Sequence, residues 1–324
     1  MTTRRDLLAG AAGLGLLAAL PATAQQRLIS GPVQIIVPVS PSTAQDVLAR
    51  QLAPGLAEAL GQPVVVENRT GASGTIGSNA VARAAPDGRM LLMQGAPLYM
   101  SAATSRNLPY DVATAFKPIV LVASGSSMLC VPANHPARDL AAFVAAARAR
   151  PGEVDYGSSG VGTAPHMSME LFALSAGIQL NHIPYRSTAP VVQDLLGGRV
   201  QAAVLPIAIA MPLARNGQLR ILATTAPARW PELPEVPTME EAGLGAATVV
   251  IQYGLYGPAA LPDAIAADVN RGVNAWLARA ETRASLTAQG LTPGGGTPAE
   301  FDAIFRRELE TWARVVRDAR VPVE

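Results

Sequence analysis

The chain of 324 residues is poor in the residue types that build disulfides and metal sites. Its single cysteine, Cys130, has no partner for an intrachain disulfide, and its apolar neighbours predict a buried core thiol. The only histidines are His135, His166 and His182, and none lies at ligand spacing from another histidine or from the cysteine. This spacing argues against a zinc site. We expect no metal and no cofactor.

The sequence also lacks the motifs of serine hydrolases and nucleotide-binding proteins. Gly157-Ser-Ser-Gly160 does not have the Gly-x-Ser-x-Gly spacing that places a nucleophile at a strand-to-helix turn. The segments 71–77 and 160–165 do not match Gly-x-Gly-x-x-Gly, and no Gly-Lys-Ser or Gly-Lys-Thr occurs. Acid–base catalysis needs paired titrating groups, which these loops do not supply. We therefore expect a protein that is not an enzyme and has no catalytic residue. An exported enzyme acting on small carboxylates, with His166 as its base, is the alternative.

The first 24 residues have the pattern of an export signal. Arg4 and Arg5 precede an apolar run that ends at Leu20, and Ala22-Thr23-Ala24 suits signal peptidase. The paired arginines indicate a twin-arginine signal, with an ordinary secretory signal as the alternative. Either signal predicts a periplasmic protein that is cleaved near Ala24.

Charge of one sign is not in excess. The whole chain has a net charge of +1. The predicted signal contains Arg4, Arg5 and Asp6, so its removal takes away +1 and leaves a mature protein that is near neutral. Because nucleic-acid binding needs a clustered basic excess, we expect no nucleic-acid partner. The remaining 300 or so residues are long and apolar enough to form two lobes of ordinary domain size.

Three strand–loop–helix units begin the mature chain. Their strands are apolar throughout, as expected of strands buried on both faces of a parallel sheet, and lie at 33–37, 64–66 and 90–93. Each strand ends in a loop of small residues, at 38–43, 71–77 and 94–97. Ligands bind at the carboxyl ends of such strands, so these loops, with Gly95 and Ala96, should share one binding edge. Pro54 predicts a kink or an early break in the helix after the first strand.

A second series of strands and helices predicts a second α/β lobe. Its strands are expected near 128–131, 154–156, 182–185, 200–205 and 219–224. The Pro- and Glu-rich segment 229–245 indicates a surface connection, followed by a strand at 249–255 that breaks at Gly257-Pro258. Two amphipathic helices close the chain, and the last begins at the capping box Thr297-Pro298-Ala299-Glu300. We predict lobe 1 at 25–123 plus 227–324, and lobe 2 at 124–226.

The stretch Tyr156–His166 carries the main functional signal. Its glycines and serines leave backbone N–H groups uncovered beside a helix that starts near Thr163. These groups, with the positive end of the helix, suit an anion such as a carboxylate. An ordinary strand-to-helix turn that binds nothing is the alternative. His166 lies in the first turn, where it either packs or contacts the ligand.

Motifs spread over nearly the whole mature chain resemble those of the Bug-type extracytoplasmic solute-binding proteins of tripartite tricarboxylate transporters (the TctC-like family). The resembling segments are 33–38, 61–69, 71–77, 84–88, 107–111, 156–166, 182–185, 194–198, 234–238, 241–243 and 253–254. The resemblance implies a type II periplasmic-binding-protein fold, an α/β architecture in which two lobes enclose a small carboxylated ligand. It also implies a partner, either membrane permease subunits or a sensor kinase; we expect a monomer.

The family's ligand carboxylate is held by the loop after the first strand and by the Ser/Gly loop of the second lobe. Carried over to this chain, the resemblance implies ligand contacts from the residues Ser40, Pro41, Ser42, Thr43, Ser158, Ser159, Gly160, Val161, Gly162 and Thr163.

Two segments depart from the family pattern. The family's first loop is usually Gly-Gly-rich before a Thr-Asp pair, whereas this chain has Pro41-Ser42-Thr43-Ala44-Gln45-Asp46, a stiffer backbone that carries hydroxyls. The strand after Gly198 usually carries acidic residues, whereas this chain has Gln201 and Leu205 there. If both face the pocket floor, their neutrality favours a non-amino carboxylate or an uncharged polar molecule over an amino acid.

Overall fold

The computed structural model describes residues 28–323, so the predicted signal and its cleavage site lie outside the described residues. The described chain folds around two β-sheets, each covered by helices. No helix within 28–323 combines the length and apolar character that crossing a membrane requires. The predicted α/β class, with strands and helices arranged around two separate sheets, is confirmed.

The first sheet has six strands, of which three form the parallel part predicted from the sequence. Its strands are β1 (Val33–Val37), β2 (Val64–Asn68), β3 (Met90–Gly95), β4 (Phe116–Gly125), β10 (Ile251–Pro258) and β11 (Leu291–Gly295). They lie in the order β11-β4-β10-β3-β1-β2. β1 is parallel to β2 and β3, while β10 and β11 run antiparallel to their neighbours.

The second sheet has five strands from the middle of the chain. They are β5 (Ser127–Pro132), β6 (Asp155–Ser158), β7 (Asn181–Pro184), β8 (Ala202–Pro206) and β9 (Leu219–Thr224). Their order is β7-β6-β8-β5-β9, with β6 parallel to both β7 and β8.

Eleven α-helices connect and cover these strands within the described range. They are α1 (Ala44–Leu60), α2 (Thr75–Ala82), α3 (Ala96–Thr104), α4 (Val112–Ala115), α5 (Leu140–Ala149), α6 (Ala164–Ala176), α7 (Thr188–Leu196), α8 (Ile207–Arg215), α9 (Asp263–Leu277), α10 (Ala280–Ala288) and α11 (Pro298–Asp318). The predicted capping box at Thr297 and Glu300 starts α11.

Successive side chains of the central strands pack into different cores, because side chains of a strand alternate between its two faces. In β1, Ile35 and Val37 belong to one apolar cluster and Ile36 to another. In β5, Leu129 and Cys130 divide in the same way between two further clusters. Each sheet is therefore buried on both faces. Cys130 is fully buried, as predicted, and burial raises the pKa of its thiol well above the ordinary range.

Two element predictions were wrong, those for β2 and β10, and the early break predicted as one of two outcomes at Pro54 does not occur. β2 is not a buried strand: it lies at the sheet edge, and Val65 is 54% exposed. Pro54 does not end α1, whose buried face packs on the first sheet and on α9; this packing outweighs the missing backbone hydrogen bond. β10 continues through Gly257 and Pro258 because it pairs with β4 as far as Phe116. In addition, a strand, β11, and a third closing helix, α10, went unpredicted.

The segment after β9 packs on the second sheet, although its composition predicts a surface connection. Trp230, Leu233 and Val236 are buried in the cluster that contains Cys130. The chain leaves the first sheet at Gly125 and re-enters it at Ile251. We propose that lobe 2 extends from about 126 to about 250 instead of ending at 226. Amide hydrogen exchange tests this boundary, because residues 230–236 should then open together with β5 and β9.

Candidate ligand-binding cleft

A cleft of about 480 Å³ lies where the carboxyl ends of β1 and β2 face the carboxyl end of β6. The loop after β1 and the loop after β6 supply opposite walls, and the start of α3 supplies a third. Its lining residues are Pro38, Val39, Ser40, Thr43, Thr70, Gly71, Ser73, Gly74, Pro97, Met100, Ser101, Thr104, Ser105, Val161, Gly162, Thr163, Ala164 and Pro322. None of these side chains carries a charge, so a bound anion would meet dipoles and not a point charge.

The loop after β1 leads into α1 with its backbone held in a tight turn. Thr43 is the N-cap residue, and its hydroxyl donates to the carbonyl oxygen of Ser40 at 2.9 Å. Ser42 has a φ of 67°, and its N–H donates to Oδ2 of Asp46 at 2.9 Å. Because the Thr43 hydroxyl does not cap α1, the N–H groups of the first helical turn remain free to face an anion.

The Asp46 carboxylate is buried at this turn and needs partners. It accepts hydrogen bonds from Arg50 at 3.0 Å and from Asn68 at 2.9 Å in addition to the Ser42 N–H. Burial alone would raise the pKa of Asp46, but these hydrogen bonds outweigh burial, and the pKa lies below its ordinary value. The Arg50 guanidinium also offsets the negative charge beside the helix N-terminus.

The loop after β6 repeats this construction in the other lobe. Thr163 is the N-cap of α6, and its hydroxyl donates to the carbonyl oxygen of Gly160 at 2.7 Å. Gly162 has a φ of 72°, and its N–H donates to Nδ1 of His166 at 3.1 Å. As in α1, the threonine side chain does not cap the helix. Two helix N-termini, one from each lobe, therefore end at the same cleft.

His166 lies beneath this loop in a buried cluster of rings. Its ring stacks on His182, with ring centroids 4.0 Å apart, and His182 stacks on Tyr156. Nε2 of His182 lies 2.7 Å from Oγ of Ser158, and Oε1 of Glu170 lies 3.8 Å from Nε2 of His166. Burial lowers the pKa of His166 to about 4, with a further contribution from His182, and lowers that of His182 to about 4. Both imidazoles are therefore neutral at pH 7.

The structure brings part of the predicted site to the cleft. Among the predicted ligand contacts, the residues that line it are Ser40, Thr43, Val161, Gly162 and Thr163. The predicted residues of the same two loops that do not line it are Pro41, Ser42, Ser158, Ser159 and Gly160. Ser158 is buried and bonded to His182, so its hydroxyl supports the loop instead of facing the cleft. Gly95 and Ala96 are buried behind the binding edge and His166 beneath its loop.

Gln201 and Leu205 do not form the pocket floor, and this expectation is corrected. Gln201 precedes β8, at the amino end of the parallel strands, and its Oε1 accepts the N–H of Asp155 at 2.6 Å. Leu205 is 1% exposed within the apolar cluster under the second sheet. The argument from these residues against an amino-acid ligand therefore loses its geometric basis.

Sequence reasoning missed the third wall and the C-terminal contact. α3 contributes four lining residues, and Ser105 directly after it a fifth, whereas the sequence predicts only a loop at 94–97. The signal that could have found it is Pro97, which suits the first turn of a helix directly after a strand. Pro322 lines the cleft because the chain turns back after α11, where Arg320 has a φ of 55° and the N–H of Val321 donates to Val316. No pattern in the sequence places Pro322 there.

Comparison with known proteins agrees with this geometry. Residues 48–320 match the family described as "Tripartite tricarboxylate transporter family receptor". A structure of an R. palustris protein with adipate is 31% identical, covers 91% of this chain and 99% of that chain, and has a TM-score of 0.77. The structure of MatC from Rhodopseudomonas palustris with bound malate is 28% identical, and the match covers 88% of this chain and 98% of MatC with a TM-score of 0.73. The structure of the periplasmic binding protein BugD is 28% identical, and the match covers 91% of this chain and 99% of BugD with a TM-score of 0.74.

Two lobes, a cleft between them and these likenesses define the class as a solute-binding protein with the type II periplasmic-binding-protein fold. Within that class, the chain belongs to the TctC family of tripartite tricarboxylate transporter receptors, which includes the Bug proteins, and the predicted resemblance is confirmed.

Proposed function

We propose that the protein is an extracytoplasmic receptor for a small dicarboxylate, which it binds in the cleft between its lobes without chemical change. The observation that carries this proposal is the pair of uncapped helix N-termini, behind Thr43 and Thr163, at one cleft with no charged lining residue. Each N-terminus offers backbone N–H groups and a positive dipole end to one carboxylate, although Pro165 leaves α6 one N–H fewer than α1. The carboxylate specificity thus comes from the main chain and from hydroxyls.

The remaining wall of the cleft suits an aliphatic chain that joins the two carboxylates of the ligand. Pro97, Met100 and Pro322 present apolar surface to the cleft. The hydroxyls of Ser101 and Thr104 are engaged with carbonyl oxygens of their own helix. Two of the related structures hold adipate and malate, which are aliphatic dicarboxylates of different length.

Closure of the lobes would strengthen this recognition. Gly162 in lobe 2 lies close to Thr104 in lobe 1, since a Cβ added to Gly162 would stand 3.4 Å from the Thr104 side chain. Removing water from the gap lowers the local dielectric and strengthens each N–H to carboxylate hydrogen bond. The closed shape gives a membrane partner a surface that differs from the open one.

Isothermal calorimetry against a panel of ligands tests the proposal. We expect malate or adipate to bind the purified protein after unfolding and refolding have removed co-purified ligand. Aspartate, whose ammonium group finds no carboxylate among the described lining residues, should bind more weakly. Tight binding of aspartate with no response to either dicarboxylate would refute the ligand class.

The proposal excludes turnover of the ligand. NMR spectra of the bound dicarboxylate, followed over hours, should remain unchanged. New resonances that grow with time would favour the exported enzyme instead.

We propose membrane permease subunits as the partner, in keeping with the family's description as a transporter receptor. Deleting the gene should then abolish uptake of the ligand. Loss of a transcriptional response with normal uptake would favour a sensor kinase instead.

We propose that the N-terminal segment, including Arg4 and Arg5, exports the protein and is cleaved after Ala24. N-terminal sequencing of periplasmic protein should begin at Gln25, and replacing both arginines by lysine should stop export if the signal is of the twin-arginine type. Export that survives this replacement would favour an ordinary secretory signal.

A further inference from the structure

The two cleft loops share one hydrogen-bonding plan at a constant separation of 120 residues. Residues 42 and 162 both have a left-handed φ, and both donate their N–H to the side chain four positions later. Residues 43 and 163 are both threonine N-caps whose hydroxyls donate three positions back. The plans differ in one respect: the acceptor is a carboxylate, Asp46, in one loop and an imidazole, His166, in the other.

We infer that His166 is a positioning residue that sets the shape of the second-lobe loop through Nδ1, as Asp46 does for the first-lobe loop. Its effect on ligand affinity rests on the proposed function, whereas its effect on the loop does not. His166 does not line the cleft and therefore acts through Gly162.

The hydrogen bond fixes the protonation state of the ring. A nitrogen that accepts from a backbone N–H cannot carry a proton, so the neutral His166 must hold its proton on Nε2. A flip of the buried ring would bring the carbon Cδ2, and not Nε2, to the position beside Gly162. Nδ1 is therefore the ring atom that can accept the Gly162 N–H.

Loss of the acceptor would act on the cleft where Gly162 of lobe 2 lies against Thr104 of lobe 1. The Gly162 N–H would be left without its partner, at a cost that favours another loop conformation. Because Gly162 lies against Thr104 of the other lobe, even a small change in the loop alters the gap in which the ligand is held. Other hydrogen bonds of this loop join Thr163 and Ser158 to Gly160 and do not engage the Gly162 N–H.

The difference between the two acceptors gives the loops different responses to acid. Protonation of His166 places a donor where an acceptor is required, whereas Asp46 keeps its acceptor oxygens. The titratable groups that face His166 are Glu170 on the same helix, His182 on β7 and Tyr156 on β6. Glu170 accepts a hydrogen bond from Tyr156, and its Oε1 lies 3.8 Å from Nε2 of His166, so it is the carboxylate nearest to a protonated ring.

NMR of the ligand-free, ¹⁵N-labelled protein tests the positioning role directly. We expect a scalar coupling across the hydrogen bond between the Gly162 amide nitrogen and Nδ1 of His166, with ring shifts typical of the Nε2–H tautomer at pH 7. On acidification this coupling should disappear together with the neutral ring signal. A proton on Nδ1 at pH 7, or a ring that titrates without affecting the Gly162 amide, would overturn the inference whether or not any ligand binds.

Affinity measurements with three variants test its consequence, using malate or adipate, whichever binds the wild type. His166→Phe keeps a stacked ring but removes the acceptor, and we expect Kd to rise about tenfold or more. His166→Asn places Oδ1 where Nδ1 stood, as Asp46 does in the first loop, and should restore most of this loss. His135→Phe is the matched control, because His135 also accepts an N–H through Nδ1, at 3.2 Å from Ala137, but does not line the cleft.

The outcomes separate the inference from the proposed function. Equal Kd values for wild type and His166→Phe would overturn the positioning role while leaving the receptor function intact. If neither dicarboxylate binds the wild type, the ligand class fails and the NMR experiment alone decides. If His166→Phe does not fold, the variant His166→Asn still tests the inference, since it should bind within about threefold of the wild type at pH 7 and lose the acid-dependent change of the Gly162 amide.

Discussion

At the residue scale, a few positions with unusual backbone or protonation states determine the geometry of the cleft. Gly162 adopts a left-handed φ that favours glycine, and Ser42 adopts the same conformation at the matching position of the other loop. The serine is accepted because its N–H is held by the buried Asp46 carboxylate. At both walls a left-handed residue is thus held by a hydrogen bond to a buried side chain, and only Ser42 carries backbone strain.

Replacing Gly162 by alanine should weaken ligand binding through a contact between the lobes. The new Cβ would combine strain at a φ of 72° with a 3.4 Å approach to Thr104, and we expect Kd to rise about tenfold. Gly177→Ala is the control, since Gly177 has a φ of 61° and no atom within 4 Å of the added Cβ. Both variants should lose about 1 kcal/mol of unfolding free energy in urea titrations. Equal ligand affinity for both variants would contradict the contact.

The buried histidines should make the protein less stable in acid. Native His166 and His182 have pKa values near 4, below the ordinary value of 6.5, so the unfolded chain binds more protons between these pH values. The free energy of unfolding should therefore fall as the pH drops from 6.5 to 4. Burial raises the pKa of Glu170, so protonation of this one carboxyl at low pH acts in the opposite direction and favours the native state.

Urea unfolding at pH 7 and pH 4.5 measures this dependence, and His182→Gln should reduce it. His135, whose pKa is also lowered by burial, contributes equally in both proteins. A His182→Gln variant with the same acid sensitivity as the wild type would show that His182 is not the source.

At the element scale, the sequence predicts elements well where local chemistry determines them. The α11 capping box was found from Thr297 and Glu300, because it needs only residues three apart. Segments whose character depends on distant partners were not found. β11 is rich in glycine and forms a strand only by pairing with β4, and the three valines of β2 do not disclose that this strand lies at an edge.

The same distinction applies to the candidate site. Helix N-termini after Thr43 and Thr163 could be predicted from the strand–loop–helix order, and both reach the cleft. The positions of Gln201 and Leu205 depend on which end and which face of β8 meets the cleft, and that is set by the pairing of β8 with β5 and β6. Pro322 depends on the direction of the chain after α11, which the left-handed Arg320 and the tertiary packing of Val321 fix together.

Packing of α11 on β10 gives a prediction at this scale. A Cβ on Gly254 would overlap the Phe301 ring, which is buried against the sheet. Gly254→Ala should therefore lower the free energy of unfolding by about 3 kcal/mol in urea titrations. The second change Phe301→Leu should recover part of this loss, and independent, additive losses would contradict the overlap.

At the scale of the whole molecule, one helix joins the two lobes. α6 follows β6 of the second sheet, yet its side chains Met167 and Leu171 lie in the apolar cluster formed mainly by α3, α11 and the first sheet. The cleft is thus bounded at its base by a shared core. Contacts of this kind favour cooperative unfolding of both lobes.

Leu171→Ala should uncouple the lobes as well as destabilise them. We expect a loss of about 2–4 kcal/mol of unfolding free energy and a thermal transition that broadens or splits in calorimetry. Leu174→Ala, on the same helix at a side chain that is 41% exposed, should lose much less and keep a single transition. A single sharp transition in Leu171→Ala would show that the shared core does not couple the lobes.

The isolated, fully buried thiol of Cys130 has a practical consequence for observing closure by fluorescence. Dyes that react with thiolates will not label the native protein, because the thiol is inaccessible and its pKa is raised. Cysteines introduced at exposed positions of the two lobes, such as Arg150 and Glu310, can therefore carry a donor and an acceptor dye with Cys130 left in place. The distance between the dyes would then report whether the lobes move when the proposed dicarboxylate is added.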